Sequence, residues 1–401
     1  MQRNLKEQVL VDNPVAIEKL QIMLVTGEAS GDSHGAELVK EIYKKFPHAH
    51  VFGMGGSALK SAGMELTIDS EKSASVMGLT ELLGSLKKII SAFKALVKKA
   101  ETIKPHLAIL IDFPDFNLRL AKKLKALDIP ILYYVPPQIW AWRSGRVKTI
   151  NKYITKVASI FPFEEEFYKR NNVDVEFVGH PFLDREESTL TREVFLRNNN
   201  IPNDRPIIGI LPGSRKSEVE RLLVTQLEGF KKFQAASPAY QAIIPVASTL
   251  NLDSLKKIAS SYPDVYLVKG QAREVLEYAE LSLVASGTAT VEAALSEKPF
   301  IVLYKLSNFS YLVAKLLITG VKNFAMVNLI AGKQIVPELL QEDVNKDRIS
   351  LEMNLILGDK GRYQIIHEAL KKIHSKLQGK KENKTTSERV VDLISEIYRR
   401  T

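Results

Sequence analysis

Along nearly the whole chain, short apolar runs alternate with amphipathic stretches of helical period, and no other feature narrows the possible folds as far. A short continuous apolar run suits a strand covered on both faces, and alternating such strands with amphipathic helices builds βαβ units and parallel sheets. The runs place strands near 22–26, 50–53, 107–111, 130–135, 156–160 and 175–178 in the first half. In the second half they fall near 207–211, 241–246, 264–268, 281–284 and 299–303. With 401 residues the chain is too long for one ordinary core and is expected to form about two domains. The polar stretch "PFLDREESTLTREVFLRNNNIPNDRP", with prolines at both ends, reads as the link between them. The expected fold class is therefore α/β, with two Rossmann-like doubly wound domains facing a central cleft. The expected division is 1–20 as an N-terminal extension, 21–185 and 186–360 as the two domains, and 361–401 as C-terminal helices. In such sheets ligands sit outside the carboxyl ends of the strands, so functional residues should lie in the loops that follow them.

Lys and Arg outnumber Asp and Glu by 56 to 46, a net charge of +10 that favours an anionic partner. Nucleic acid, a phosphorylated substrate and an acidic membrane surface all satisfy it. The absence of cysteine excludes disulfides and thiolate chemistry and fits a reducing compartment, with the cytoplasm as the default. The first 20 residues mix both charge signs and lack the apolar core of a signal peptide. No run approaches the ~18 apolar residues of a membrane span, which leaves only surface association with a bilayer.

Four post-strand loops carry candidate chemistry. "GEASGDSHG", Gly27–Gly35, is a glycine-rich turn between a strand and an amphipathic helix, the pattern on which nucleotide phosphates are often cradled. In "LAILIDFPDFN" a buried strand ends at Asp112, where an apolar wall would raise the carboxyl pKa into the range of a general base. Asp115 reads equally as a cap for the following helix. No histidines stand nearby at metal-ligand spacing, and no metal is expected. In "IGILPGSRKSEV", Gly213, Ser214 and Arg215 form a phosphate-friendly turn with a guanidinium fork beside it. "SLVASGTATVEAA" repeats the pattern with Ser286, Gly287, Thr288 and Thr290, and Glu292 follows where it would accept from a ribose diol or complement the helix dipole. The last two loops together describe a nucleoside-diphosphate site better than either alone.

Two further segments stand out. "YYVPPQIWAWRSGRVKTINKY" sets Trp140 and Trp142 beside Arg143, Arg146 and Lys148. A pocket wall or domain packing is preferred there to nucleic-acid stacking, because the cations form a short cluster and not a stripe. "VMGLTELLGSLKKIISAFKALVKK" carries Leu79, Leu82, Leu83, Leu86, Ile89, Ile90, Phe93, Leu96 and Val97 at helical spacing, with Val76 and Met77 upstream and lysines on the other side. A core-facing helix explains most of it; a helix lying in an anionic lipid surface also fits. Phe309, Tyr311, Leu312, Val313, Leu316 and Leu317 form a shorter candidate. "KKIHSKLQGKKENKTTSER" reads as a helix-poor solvated linker before a last helix over about 390–398.

Taken together, "GEASGD", "GMGG", "VMGLTELLG", "IDFPDFN", "YYVPPQIWAWR", "FPFEEEFY", "GHPF", "LPGSR", "ASGTATVE" and "NLIAGKQIVPELLQ" resemble the lipid-A-disaccharide synthase family over roughly residues 22–345. One departure is Pro136, where a small polar residue is expected. The resemblance implies a two-domain glycosyltransferase fold of the GT-B type with C-terminal helices returning to the first domain. It implies an inverting transfer joining UDP-2,3-diacylglucosamine to 2,3-diacylglucosamine 1-phosphate, with UDP released and a β-1,6 linkage formed. On that reading Asp112 is the base and Asp115 orients it or the acceptor. Arg215, the amides near Ser214 and the turn Ser286–Thr288 take up charge on UDP, Glu292 meets the ribose, and Asn328 contacts the donor. "GEASGDSHG" then faces the acceptor, with Glu28, Ser30, Gly31 and His34, together with Trp140 and Arg143, on the acceptor side. For Ser30, Gly31 and Asp32 the alternative is that they do no more than start the helix. Neither metal nor other cofactor is implied, and no nucleic acid. Acylated substrates favour the lipid-surface reading of residues 76–97, with Val76, Met77, Leu79, Leu82, Leu83 and Leu86 against inner-membrane lipids and the protein peripheral on the cytoplasmic face. The returning helix leaves a homodimer open. Another sugar-nucleotide enzyme of the same fold, and a non-catalytic basic binding protein, are the competing readings.

Overall fold

All eleven apolar runs form strands in the computed structural model, which describes residues 19–70, 82–139, 144–184, 190–305, 324–379 and 383–400. The first sheet holds β1 (Gln21–Val25), β2 (His50–Gly55), β3 (Glu65–Asp69), β4 (Leu107–Ile111), β5 (Ile131–Tyr134), β6 (Lys156–Ser159) and β7 (Val175–Phe177). The second holds β8 (Ile207–Leu211), β9 (Gln241–Val246), β10 (Val265–Lys269), β11 (Leu281–Ala285), β12 (Phe300–Tyr304) and β13 (Glu338–Leu340). The two additional strands, β3 and β13, are edge strands, part-exposed or only three residues long, so no buried run marks them in the sequence.

Every pairing is parallel, and the orders are β3-β2-β1-β4-β5-β6-β7 and β10-β9-β8-β11-β12-β13. Both are doubly wound. In each, the chain reverses its direction of growth between the first strand and the fourth, at β1/β4 and at β8/β11, which opens a crevice at the strand ends. Helices cover both faces, which is why β4 and β11 are buried at every position.

The C-terminal segment corrects two expectations. Helix Lys360–Leu377 extends into the supposed helix-poor stretch as far as Leu377 and packs on helices Ala289–Leu295, Met326–Ala331 and Lys346–Leu357 of the second half. Among the described helices of this segment, the last, Thr386–Arg400, returns to the first half and packs on helix Ala29–Lys45. Asp184 caps its start by accepting from the amides of Thr386 (2.7 Å) and Ser387 (2.8 Å), and Lys45 pairs with Asp392 at 2.9 Å.

Helix Leu82–Ile103 turns Ala92, Leu96 and Ala100 inward, with Phe93 edge-on to Phe116 at 5.6 Å. Its described side chains thus form a core-facing stripe, although Ile90 remains 46% exposed. Residues 76–81, the side chains of Leu82, Leu83 and Leu86, and the 309–317 candidate lie outside the described residues. Among the described residues no helix is long and apolar enough to cross a membrane.

Candidate active site

The turns at the two switch points face each other. A cleft cavity of about 490 Å³ is lined by Ser30, Gly31, His34 and Asp112 from the first sheet and by Arg215, Glu218, Ser286, Gly287 and Thr288 from the second. A second compartment of about 350 Å³ shares Arg215, Glu218 and the Ser286–Thr288 turn and extends past Gly213, Ser214, Val246 and Glu292.

Asp112 sits on a strained turn. Asp112 and Phe113 both adopt left-handed backbone, with φ of 47° and 46°, a conformation that costs a residue with a Cβ about 1–2 kcal/mol. The turn is pinned from behind: the Asp112 carbonyl accepts from the Tyr133 hydroxyl at 2.7 Å and from Asn117 Nδ2 at 2.8 Å. Pro114 then opens the helix Pro114–Lys125 at its first position, where a missing N–H costs nothing. Burial raises the Asp112 carboxyl to about 6, with a further push from the Glu28 carboxylate, against the Phe113 amide and the Arg215 cation. Asp115 behaves differently. It is 71% exposed, pairs with Arg146 and does not line the cavity, so the orienting role expected of it is not supported by its position. It stands in the first turn of its helix, where a carboxylate complements the helix dipole.

The glycines of "GEASGDSHG" serve packing. A Cβ on Gly27 would lie 2.6 Å from the Phe113 ring, and one on Gly31 would collide with the Thr26 hydroxyl. Asp32 caps a different helix from its own, accepting from the amides of Gly56 (2.6 Å) and Ala58 (2.9 Å) at the start of Ser57–Ser61. Ser30, Gly31 and His34 are left facing the cavity, and Glu28 reaches across the cleft to Arg215 at 3.7 Å.

In the second half, three expected ligand contacts are already spent within the protein. The amides of Ser214 and Arg215 donate to Glu218 Oε2 at 3.1 and 3.3 Å, so they are not open to a diphosphate. Thr290 is fully buried and its hydroxyl donates to the Gly287 carbonyl at 2.7 Å, closing the turn instead of lining it. Asn328 is fully buried and saturated: its Nδ2 donates to the Val336 carbonyl (3.0 Å) and Glu338 (2.6 Å), and its Oδ1 accepts from the amides of Ile335 and Val336. Glu338 also accepts from the amides of Phe324 and Ala325. Asn328 therefore holds the loop whose Phe324, Met326 and Leu329 line the cavity, without touching a ligand itself. The Arg215 side chain and the Ser286–Thr288 turn remain available, with no described residue within 4 Å of where a Cβ on Gly287 would stand.

His180 and Glu218 were not among the residues expected from the sequence. His180, 1% exposed, lines the cavity between the rings of Phe161 (5.4 Å) and Phe182 (4.8 Å). Its Nδ1 accepts from the Phe182 amide at 3.2 Å, which places the ring proton on Nε2. "GHPF" and the glutamate three residues into a helix are the signals that point to them. Pro136 also lines the wall; Trp140 and Arg143 lie outside the described residues. Among the described residues no three His, Cys, Asp or Glu side chains gather in a way that would hold a metal ion.

Two parallel α/β sheets with a cleft between their switch points define the GT-B class of sugar-transferring and related enzymes. The fold is similar to a UDP-N-acetylglucosamine 2-epimerase from Neisseria meningitidis, bound in its crystal structure to UDP-GlcNAc (TM-score 0.63, 13% identity, 94% of this chain and 100% of that one). It is also similar to the calicheamicin glycosyltransferase (TM-score 0.59, 14% identity, 96% and 99%). Sequence narrows the class further. Residues 22–391 match the family described as Lipid-A-disaccharide synthetase. The lipid-A-disaccharide synthase of Syntrophus aciditrophicus is 42% identical over 89% of this chain and 93% of its own length. That of Myxococcus xanthus is 42% identical over 84% and 88%. The chain belongs to the lipid-A-disaccharide synthase family and is a glycosyltransferase of lipid A disaccharide synthesis.

Proposed function

We propose that the protein condenses UDP-2,3-diacylglucosamine with 2,3-diacylglucosamine 1-phosphate, with inversion, to the β-1,6-linked disaccharide 1-phosphate and UDP. The observation that carries this reading is the opposition of Asp112, on one wall of a single cleft, to Arg215 and the Ser286–Thr288 turn on the other. The Asp112 carboxylate takes the proton of the acceptor 6-hydroxyl as that oxygen attacks the donor C1. The C1–O bond to the diphosphate breaks on the opposite face, and the charge that develops on UDP is met by the Arg215 guanidinium and the open turn. His34 and Ser30, which line the cavity with Asp112, suit the acceptor, and Glu292, in the second compartment, suits the ribose. The relative bound to UDP-GlcNAc supports a uridine-diphosphate donor.

The test is UDP release by the purified protein supplied with both acylated sugars. Release only when both are present is the expected result. No release, or turnover of an unacylated UDP-sugar alone, would sink the reading and favour another sugar-nucleotide reaction on this fold.

Acylated substrates call for a lipid-facing surface, which we assign to residues 76–86, with the protein peripheral on the cytoplasmic side of the inner membrane. Changing Leu82→Ser together with Leu83→Ser is expected to reduce co-sedimentation with anionic vesicles severalfold while leaving the far-UV spectrum unchanged. Undiminished co-sedimentation would remove the assignment.

A further inference from the structure

The β8 turn has the form of an anion-binding nest, a post-strand glycine followed by successive amides aimed at one point. The point is taken. Glu218 Oε2 accepts from the amides of both Ser214 and Arg215, at 3.1 and 3.3 Å. Gly213 is required as much by that carboxylate as by its own backbone: its φ is 109°, and a Cβ there would overlap Glu218 Oε2. The turn is further anchored by the Thr249 hydroxyl, which donates to the Ser214 carbonyl at 2.6 Å.

The second oxygen of the same carboxylate does a different job. Glu218 Oε1 lies 3.7 Å from Arg215 Nη1, while Glu28 Oε2 lies 3.7 Å from Arg215 Nη2. The guanidinium is thus held between two carboxylates, one from each side of the cleft, at the boundary of the two compartments that Arg215 and Glu218 both line. By contrast, among the described residues nothing stands within 4 Å of the position a Cβ would occupy on Gly287.

We infer that Glu218 is a positioning and specificity residue: it fills the β8 nest with a carboxylate of the protein's own. The donor diphosphate is thereby directed onto the Arg215 side chain and the Ser286–Thr288 turn. The inference rests on the UDP-sugar reading above and adds to it where along the cleft the diphosphate lies. A glutamate in the nest repels a phosphate from those amides, so the leaving group has one register and not two. A glutamate that served only as a helix cap would stabilise the helix Lys216–Ala236 without any bearing on which anion the cleft accepts.

The experiment uses the full chain as wild type, Glu218→Ala and Glu218→Gln, with inorganic phosphate as the probe. Phosphate affinity is read by calorimetry without substrate, and kcat and KM for the donor by UDP release. Both variants are expected to bind phosphate about tenfold tighter than wild type, competitively with the donor. The donor KM is expected to rise about tenfold, with a smaller fall in kcat. Glu218→Gln keeps the shape and an amide-accepting oxygen but removes the charge, so it tests the repulsion by itself even where Glu218→Ala fails to fold. Phosphate affinity unchanged in the folded variants would overturn the inference and leave Glu218 a cap. Wild-type protein that releases no UDP would instead sink the reaction proposed above, while the substrate-free phosphate affinities still decide whether Glu218 occupies an anion site.

Discussion

An Asp112→Asn variant is expected to lose about 10³-fold of kcat and yet to melt at a higher temperature than wild-type protein at neutral pH. The loss follows from removing the base: an amide cannot take the acceptor proton. The gain follows from the same burial that makes the base useful. In the folded protein the carboxyl titrates near 6, against an ordinary value of 3.8. Between those values the folded state binds a proton that the unfolded chain does not, so the contribution of this one group to stability is full below about pH 4 and is lost as pH rises through 6. Holding the ionised form in place at neutral pH costs on the order of 3 kcal/mol. Asparagine is spared that cost, and it tolerates the left-handed backbone of residue 112 well. The wild-type rate should accordingly fall on the acid side with an apparent pKa near 6. Thermal melts at pH 4 and pH 7 and a rate–pH profile check both halves. A variant that is no more stable than wild type at pH 7, or that keeps its activity, refutes the assignment.

Replacing Arg215 by Ala is expected to lower kcat/KM for the UDP-sugar by about 10²- to 10³-fold, the scale of losing one preorganised charge donor to a leaving group. Arg215→Lys should recover only part of the loss, because an ammonium restores the charge without the planar fork that grips two phosphate oxygens. A second readout separates this from a folding defect. The Arg215 cation holds the Asp112 carboxyl down, so its removal should shift the acid limb of the rate–pH profile above its wild-type position. An unmoved limb together with unchanged donor KM would take Arg215 out of the site.

Much of the fold was legible because parallel strands buried on both faces write themselves as continuous apolar runs. β4 and β8 are such runs, and both appear where the sequence places them. β3 and β13 were not legible, because β3 has no buried position and β13 a single one, too few to write an apolar run. Among site residues, Asp112 and Arg215 could be singled out by their position after a strand. His180 also follows a strand, in "GHPF", but its place in the cleft depends on the packing of Phe161 and Phe182 around it, which the sequence does not express.

The sequence by itself determined the two doubly wound halves, the family, and the loops in which chemistry would be sought, since burial periodicity and strand-to-helix turns are local properties of the chain. Tertiary structure alone decided which polar groups in those loops are still free to act. Glu218 folds back over the amides of Ser214 and Arg215, Thr290 turns onto the Gly287 carbonyl, and Asn328 spends its amide on Val336, Ile335 and Glu338. A buried hydrogen-bonding group must find a partner wherever the fold supplies one. The supply depends on distances that residue order does not express, so the same small polar residues read as ligand contacts in the sequence and stand as internal scaffolding in the structure.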